Sequence, residues 1–172
     1  MKSLFLLLIF TTCAIGQSMP VSYRLTASPR TASATVLTPA AVRALEQDAF
    51  RMINAQRSDD GMAALEWNEK VAQVARVHSN NMAEYNFFSH QGLDGNMVDG
   101  RAGKLGVNNW AAIGENIAFM KGYDDPVAAA ITNWLRSPGH KKNLLNPDWT
   151  ETGVGLSVTP DGKYYFTQVF IR

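Results

Sequence analysis

Apolar residues recur at helical spacing in three stretches of the chain and alternate at strand spacing near its end. Val42, Leu45, Ala49, Met52 and Ile53 lie on one face of a helix that ends near Gln56, before Gly61. Thr38-Pro39 marks its start, an N-cap hydroxyl followed by a proline whose missing N–H is harmless in a first turn. Asn68 caps a second helix, Glu69 to about Tyr85, with Val71, Val74, Ala75 and Met82 as its apolar face. His78 belongs to that face. At ~100° per residue it lies within about 40° of Val71, Val74 and Met82, so its imidazole points inward. Asp125-Pro126 opens a third helix through Leu135, whose buried stripe is Val127, Ala130, Ile131 and Trp134.

Between the second and third helices the pattern changes. Residues 86–109 are rich in Gly, Asn and Asp and read as a long loop with room for one short helix. "IGENIAFM", Ile113 to Met120, is short and apolar with Glu115 embedded near its start. At the C-terminus Val154, Leu156 and Val158 alternate with Gly153, Gly155 and Ser157, and Pro160-Asp161-Gly162 turns the chain. "KYYFTQVFI" then returns with apolar residues on both faces, as a central strand covered on two sides requires. The small-residue face of the first strand admits a helix or a ligand close to the sheet. Helices first and strands last, packed on both faces, give an α+β fold in three layers.

The N-terminus carries a different signal. Lys2 precedes an uninterrupted apolar run from Leu4 to Phe10, and Ala14-Ile15-Gly16 places small residues where a signal peptidase reads. The run is shorter than the ~20 apolar residues a bilayer span needs. Residues 1–16 therefore read as a secretory signal, 17–37 as a disordered linker rich in Ser, Thr and Ala, and 38–172 as the domain. The alternative is a lipoprotein signal that uses Cys13. Cleavage after Gly16 removes Cys13, the single cysteine of the 172 residues, and leaves no disulfide, cysteine nucleophile or thiolate ligand. It also removes Lys2, so a formal charge of +1 becomes a balance of acids and bases. Neither value advertises a surface for nucleic acid. The expected location is secreted, extracellular or periplasmic, with no transmembrane segment in the mature chain.

The residues able to carry chemistry are few. There are three histidines, His78, His90 and His140, and one acid, Glu115, inside an apolar segment. Burying that carboxylate unpaired costs several kcal/mol, so it must be hydrogen-bonded, paired, metal-linked or protonated. Two imidazoles and a carboxylate suit a divalent cation, with Zn²⁺ the usual occupant, or acid–base chemistry near neutral pH. A plain reading stands beside each: His78 as a core histidine, His90 in "FFSH" as a loop anchor, Glu115 as an acid bonding the "SPGH" turn. Lys141 and Lys142 read as a solvated helix face, and Trp110, Phe119, Trp134 and Trp149 as core. There is no HExxH, G-x-S-x-G or Walker motif, and Gly153-Val154-Gly155 lacks the third glycine of a dinucleotide fingerprint.

In order along the chain, "VARVHSNNM", "FFSH", "GENIA", "NWLRSPGHKKNLL" and "TGVGL" closely resemble the CAP superfamily. This group, also called the SCP domain, contains cysteine-rich secretory proteins, insect antigen 5 and plant pathogenesis-related proteins; the cysteine-free form resembles its bacterial secreted members. The resemblance covers about Thr38 to Arg172. It implies an α–β–α sandwich with an antiparallel sheet and an open cleft lined by two His and two Glu, occupied by Zn²⁺ in some members. Carried over by motif, His78 takes the place of the first His, Glu115 of the first Glu and His140 of the second His. The second Glu falls at Ser137, which leaves a triad and weakens any role that needs two carboxylates.

The family has no agreed common enzymatic activity, so three readings follow. The first is a secreted, monomeric binding module that holds zinc or another divalent cation on His78 and His140. In it Glu115 orients a histidine or a bound water, the ligand is a small apolar molecule, lipid, peptide or envelope component, and no organic cofactor is needed. The second is a cation-dependent peptidase or esterase with Glu115 as general base. The third is a structural or interaction domain without cleft chemistry.

Overall fold

A computed structural model describes residues 37–172. The expected signal segment and all but the last residue of the expected linker lie outside the described residues. The elements are α1 (Pro39–Asp59), β1 (Glu66–Trp67), α2 (Glu69–Glu84), α3 (Val98–Lys104), β2 (Ile113–Lys121), α4 (Pro126–Arg136), α5 (Pro138–Leu144), β3 (Glu151–Val158) and β4 (Lys163–Ile171). The helix starts follow their sequence signals. Thr38 Oγ1 accepts from the Ala41 N–H at 3.2 Å, Asn68 Oδ1 from Lys70 and Val71, and Asp125 Oδ1 from Ala128.

The four strands run in the order β1-β3-β4-β2. β3-β4 and β4-β2 are antiparallel, and the two-residue β1 adds a parallel edge to β3. β1 is too short to leave a period in the sequence, and the "IGENIAFM" segment is the edge strand β2. β4 is central, which is why its apolar residues face both ways. Phe166 and Phe170 pack with α1, α4 and α5 residues such as Ile53, Ile131, Trp134 and Leu144. Val169 and Ile171 pack with Val71, Val74 and Ala75 of α2 and Ala102 of α3. The result is the expected three-layer α–β–α sandwich.

α2 lies directly on the β3 backbone. A Cβ built on Gly153 would sit 2.1 Å from the Ala72 nitrogen, and one on Gly155 2.2 Å from that of Arg76. The small-residue face of β3 therefore receives a helix. Ser79 closes the contact by donating to the Gly155 carbonyl at 3.0 Å.

Both sheet edges are blocked by side chains, which removes them as templates for further strand pairing. Beyond β1, the edge of β3 is covered by Glu46 of α1. This buried carboxylate accepts from the Leu156 N–H at 3.1 Å and from Arg76 of α2 at 2.8 Å. On the β2 edge, the Ile117 carbonyl accepts from Trp134 Nε1 at 2.9 Å and the Glu115 carbonyl from Asn143 Nδ2 at 3.1 Å. Arg57, fully buried, ties the end of α1 to the end of α5 by donating to the carbonyls of Ala63, Leu144 and Asn146.

Replacing Gly155 with Ala drives a methyl group into α2. Thermal unfolding of Gly155→Ala is expected to show a loss of about 3 kcal/mol or more, on the order of 10 °C in Tm. Gly139→Ala, at a helical position where a Cβ meets nothing within 4 Å, is the control and should not lower Tm.

Candidate functional site

"SPGH" does more than stop a helix. α4 ends at Arg136, Ser137 is the C-cap of α4 and N-cap of α5, and Pro138 opens α5. His140 is thus held in the first turn of a new helix. Ser137, at the position where the family resemblance places a second glutamate, makes no side-chain capping bond. α5 is fixed to β2 by an amide network: Asn116 Nδ2 donates to the His140 carbonyl at 3.2 Å, and Asn143 Nδ2 to Asn116 Oδ1 at 3.2 Å. Gly114 leaves room for this contact, since a Cβ there would stand 2.9 Å from Asn143 Oδ1 and 2.8 Å from Trp149. "GEN" therefore has three distinct duties: close approach, charge, and a clasp on α5.

Glu115 lies on the α2/α3 face of β2 with its side chain 4% exposed. One carboxylate oxygen accepts from His90 Nδ1 at 2.8 Å, and the other accepts from the Arg101 guanidinium. Arg101, equally buried, donates its remaining terminal nitrogen to the His90 and Asn96 carbonyls at 2.8 and 3.0 Å. The loop after α2 is thereby clamped so that the His90 and His140 rings face each other, with centroids 6.3 Å apart and planes inclined by 33°. Glu115 bonds a loop histidine and an arginine, and it is Asn116 that bonds the backbone of His140.

The structure brings Glu115 and His140 together with His90; His78 takes a different position. His78 is fully buried, and its Nε2 is 2.8 Å from the Ser89 carbonyl, to which it donates in the neutral tautomer. Helical periodicity located its inward face correctly, but that face is the core beside Phe87. Burial pushes the His78 pKa down; the Glu115 charge opposes this, and Arg101 and His90 add to it. The His140 pKa is also lowered, by burial and then by His90. A lowered pKa keeps an imidazole neutral, the form that ligates metals.

The donor set has clear limits. Among the described residues, no group of three or more His, Cys, Asp or Glu side chains is assembled to hold a metal ion. His90 is oriented through Nδ1 by a carboxylate, and its Nε2 bonds no other described residue. The His140 ring takes no hydrogen bond from another described residue. Two imidazoles, one backed by a carboxylate, fit a divalent cation whose remaining positions belong to water or a ligand. Both oxygens of Glu115 accept from neighbouring side chains, a guanidinium and an imidazole, and the group is almost wholly buried.

Sequence reasoning did not find Arg101, Asn116 or Asn143. Asn116 carried a signal in being a polar residue in an apolar run; Arg101, in a glycine-rich loop, carried none. Trp134 and Trp149 are core as expected, and Trp110 is half-buried. Phe119 is 38% exposed and packs with Phe88 and Tyr165 at the surface, because it points away from α4 at the edge of β2. Lys141 and Lys142 are exposed.

Because the folded His78 pKa is depressed, folding favours its neutral form. Its contribution is complete above the unfolded value of about 6.5 and is lost as pH falls through the folded value. Thermal unfolding of the wild type is expected to weaken from pH 7 to 5, by up to about 1.4 kcal/mol per pH unit for this one proton. His78→Gln should lower stability at pH 7 and flatten that slope.

Comparison with known proteins accords with this architecture. The model of the cysteine-rich secretory protein family, CAP, matches residues 50–170. Two curated relatives from Bacillus subtilis (strain 168) are the uncharacterized membrane protein YlbC and the uncharacterized protein YkwD. YlbC is 41% identical over 74% of this chain and 34% of its own length, and YkwD is 34% identical over 84% and 54%. The chain thus spans between a third and somewhat over half of these relatives. An extracellular SCP-domain protein from Bacillus anthracis superposes with TM-score 0.67 at 34% identity, over 80% of this chain and 45% of that one. An outer surface protein of Borrelia burgdorferi shares the fold, with TM-score 0.68 at 21% identity over 76% and 94%. No helix among the described residues is long and apolar enough to cross a membrane. The chain belongs to the cysteine-rich secretory protein (CAP) family.

Proposed function

We propose that this domain is a secreted binding module that holds a divalent cation between His90 and His140. The observation that carries this reading is the facing pair of imidazoles at the β2 edge, one set by Glu115 and the other by α5. The expected site is thereby moved from His78 to His90, since the His78 Nε2 is committed to the Ser89 carbonyl inside the core. Zn²⁺ is the natural occupant for two nitrogen donors, and it would supply a Lewis-acidic centre with open positions. Glu115, held in place by Arg101, accepts from His90 Nδ1 and so leaves Nε2 as the ring nitrogen available to a ligand.

Open positions at such a centre suit an oxygen- or nitrogen-donor group on a small molecule, peptide or envelope component. The extracellular and outer-surface character of the structural relatives supports secretion, as does the leader read in residues 1–16. Hydrolysis with Glu115 as general base draws no support from a carboxylate bonded on both oxygens. Binding therefore takes precedence over turnover.

Calorimetric titration of ZnCl₂ into the full chain at pH 7.5 is the test. Wild type should bind one equivalent, and His90→Ala/His140→Ala should lose at least tenfold in affinity while melting cooperatively. His78→Gln should retain binding wherever it is folded. A double variant that binds like wild type removes the site.

A further inference from the structure

Most bases of this domain are matched by acids, and the exceptions fall together. Among the described residues every Lys and Arg is ion-paired except the buried Arg57, Lys70 in the first turn of α2, and Arg136, Lys141 and Lys142. The last three flank His140 at the junction of α4 and α5. From Pro126 to Pro147 the chain contains no Asp or Glu. Asp148, just beyond, is paired with Arg172 at 3.7 Å. Asp59 and Asp60 close α1, which Arg57 ties to the Leu144 and Asn146 carbonyls at the other end of α5. A local positive patch thus stands on a domain whose acids outnumber its bases.

The patch is open. All three bases are exposed, and so are Pro138 and Gly139 between them. A Cβ on Gly139 meets nothing within 4 Å, so nothing overhangs the first turn of α5. Thr132, one turn before Arg136 in α4, adds an exposed hydroxyl on the same helix face.

What the patch lacks narrows its partner. Among the described residues, none of the large apolar side chains that are exposed lies between Pro126 and Pro147. A protein partner needs an aromatic or aliphatic anchor, and a membrane surface needs apolar side chains to insert. A polyanion needs neither. Lys binds phosphate as a point charge, and each phosphate neutralised releases a counterion. We propose that Arg136, Lys141 and Lys142 form a docking surface for a phosphodiester polymer, whose successive phosphates meet the three bases beside His140. The proposal stands without a cation at His90 and His140.

The probe is an end-labelled glycerol phosphate oligomer, a phosphodiester chain with neither bases nor fatty chains, titrated into the full chain in EDTA and followed by fluorescence anisotropy. Wild type should bind saturably, and log K should fall with log salt at a slope of about −2 for three phosphate contacts on a flexible strand. Arg136→Gln/Lys141→Gln/Lys142→Gln should melt like wild type, bind at least tenfold more weakly and lose most of that slope. Lys70→Gln, which removes an exposed unpaired base elsewhere, should bind like wild type. Polyglutamate of equal charge should bind at least fivefold more weakly, and phosphatidylglycerol vesicles no more tightly per exposed phosphate. Wild-type affinity in the triple variant, or an equal loss in Lys70→Gln, would overturn the proposal. So would equal binding of polyglutamate, which points to an acidic protein, or tighter binding of the vesicles, which points to a lipid surface.

Discussion

The ion pair between Glu115 and Arg101 is the constraint from which the site follows. Both side chains are all but excluded from water, at 4% and 5% exposure. Such a pair gains little net stability, since desolvation offsets most of the Coulomb attraction. Its asymmetry matters more. Removing one partner leaves a buried charge without compensation and costs about 3–5 kcal/mol, so the two groups are confined to one another. Each then has further hydrogen-bonding capacity in a fixed direction. Glu115 directs its second oxygen to the His90 ring, and Arg101 its second terminal nitrogen to the backbone carbonyls of His90 and Asn96. The pair thus anchors His90 in the loop between α2 and α3, where His78 holds the neighbouring Ser89 carbonyl.

Backbone proximity is the second ingredient, and it depends on glycines in two strands. Gly153 and Gly155 let α2 rest on β3, which sets where the loop leaves α2. Gly114 lets Asn143 and Trp149 close over β2, which sets where α5 carries His140. The two contacts lie on opposite faces of the sheet. His90 comes from the α2/α3 layer and His140 from the α4/α5 layer, and they meet around the β2 edge. A three-layer sandwich with a covered edge strand is thus a means of opposing two side chains from two layers.

Much of the fold was legible because its determinants are periodic or local. Thr38, Asn68 and Asp125 announce helix starts through their own side chains, and the two-sided apolar pattern of "KYYFTQVFI" announces a central strand. The site was only partly legible, for a physical reason. The inward direction of His78 follows from helical geometry, but periodicity cannot distinguish a core from a cleft. His90 sits in a loop where no period exists, and only its pairing with Glu115 across 25 positions identifies it. The resemblance by motif pointed to the right family. It took the first histidine from the helix, whereas the histidine that Glu115 bonds is the one from the loop. Arg101 was invisible because a buried arginine in a glycine-rich loop looks like any solvated one until its partners are known.

The same hydrogen-bond arithmetic bears on binding against catalysis. A general base must reach the proton it takes, and the Glu115 carboxylate is almost wholly buried between Arg101 and His90. The role its contacts support is to hold His90. Ser137, where the family resemblance places a second acid, leaves no substitute carboxylate in that position. What survives is a pair of imidazoles held from two layers of the sandwich, His90 by Glu115 and His140 by α5. That is a feature of recognition, because it offers positioned nitrogen atoms to whatever partner fits between them.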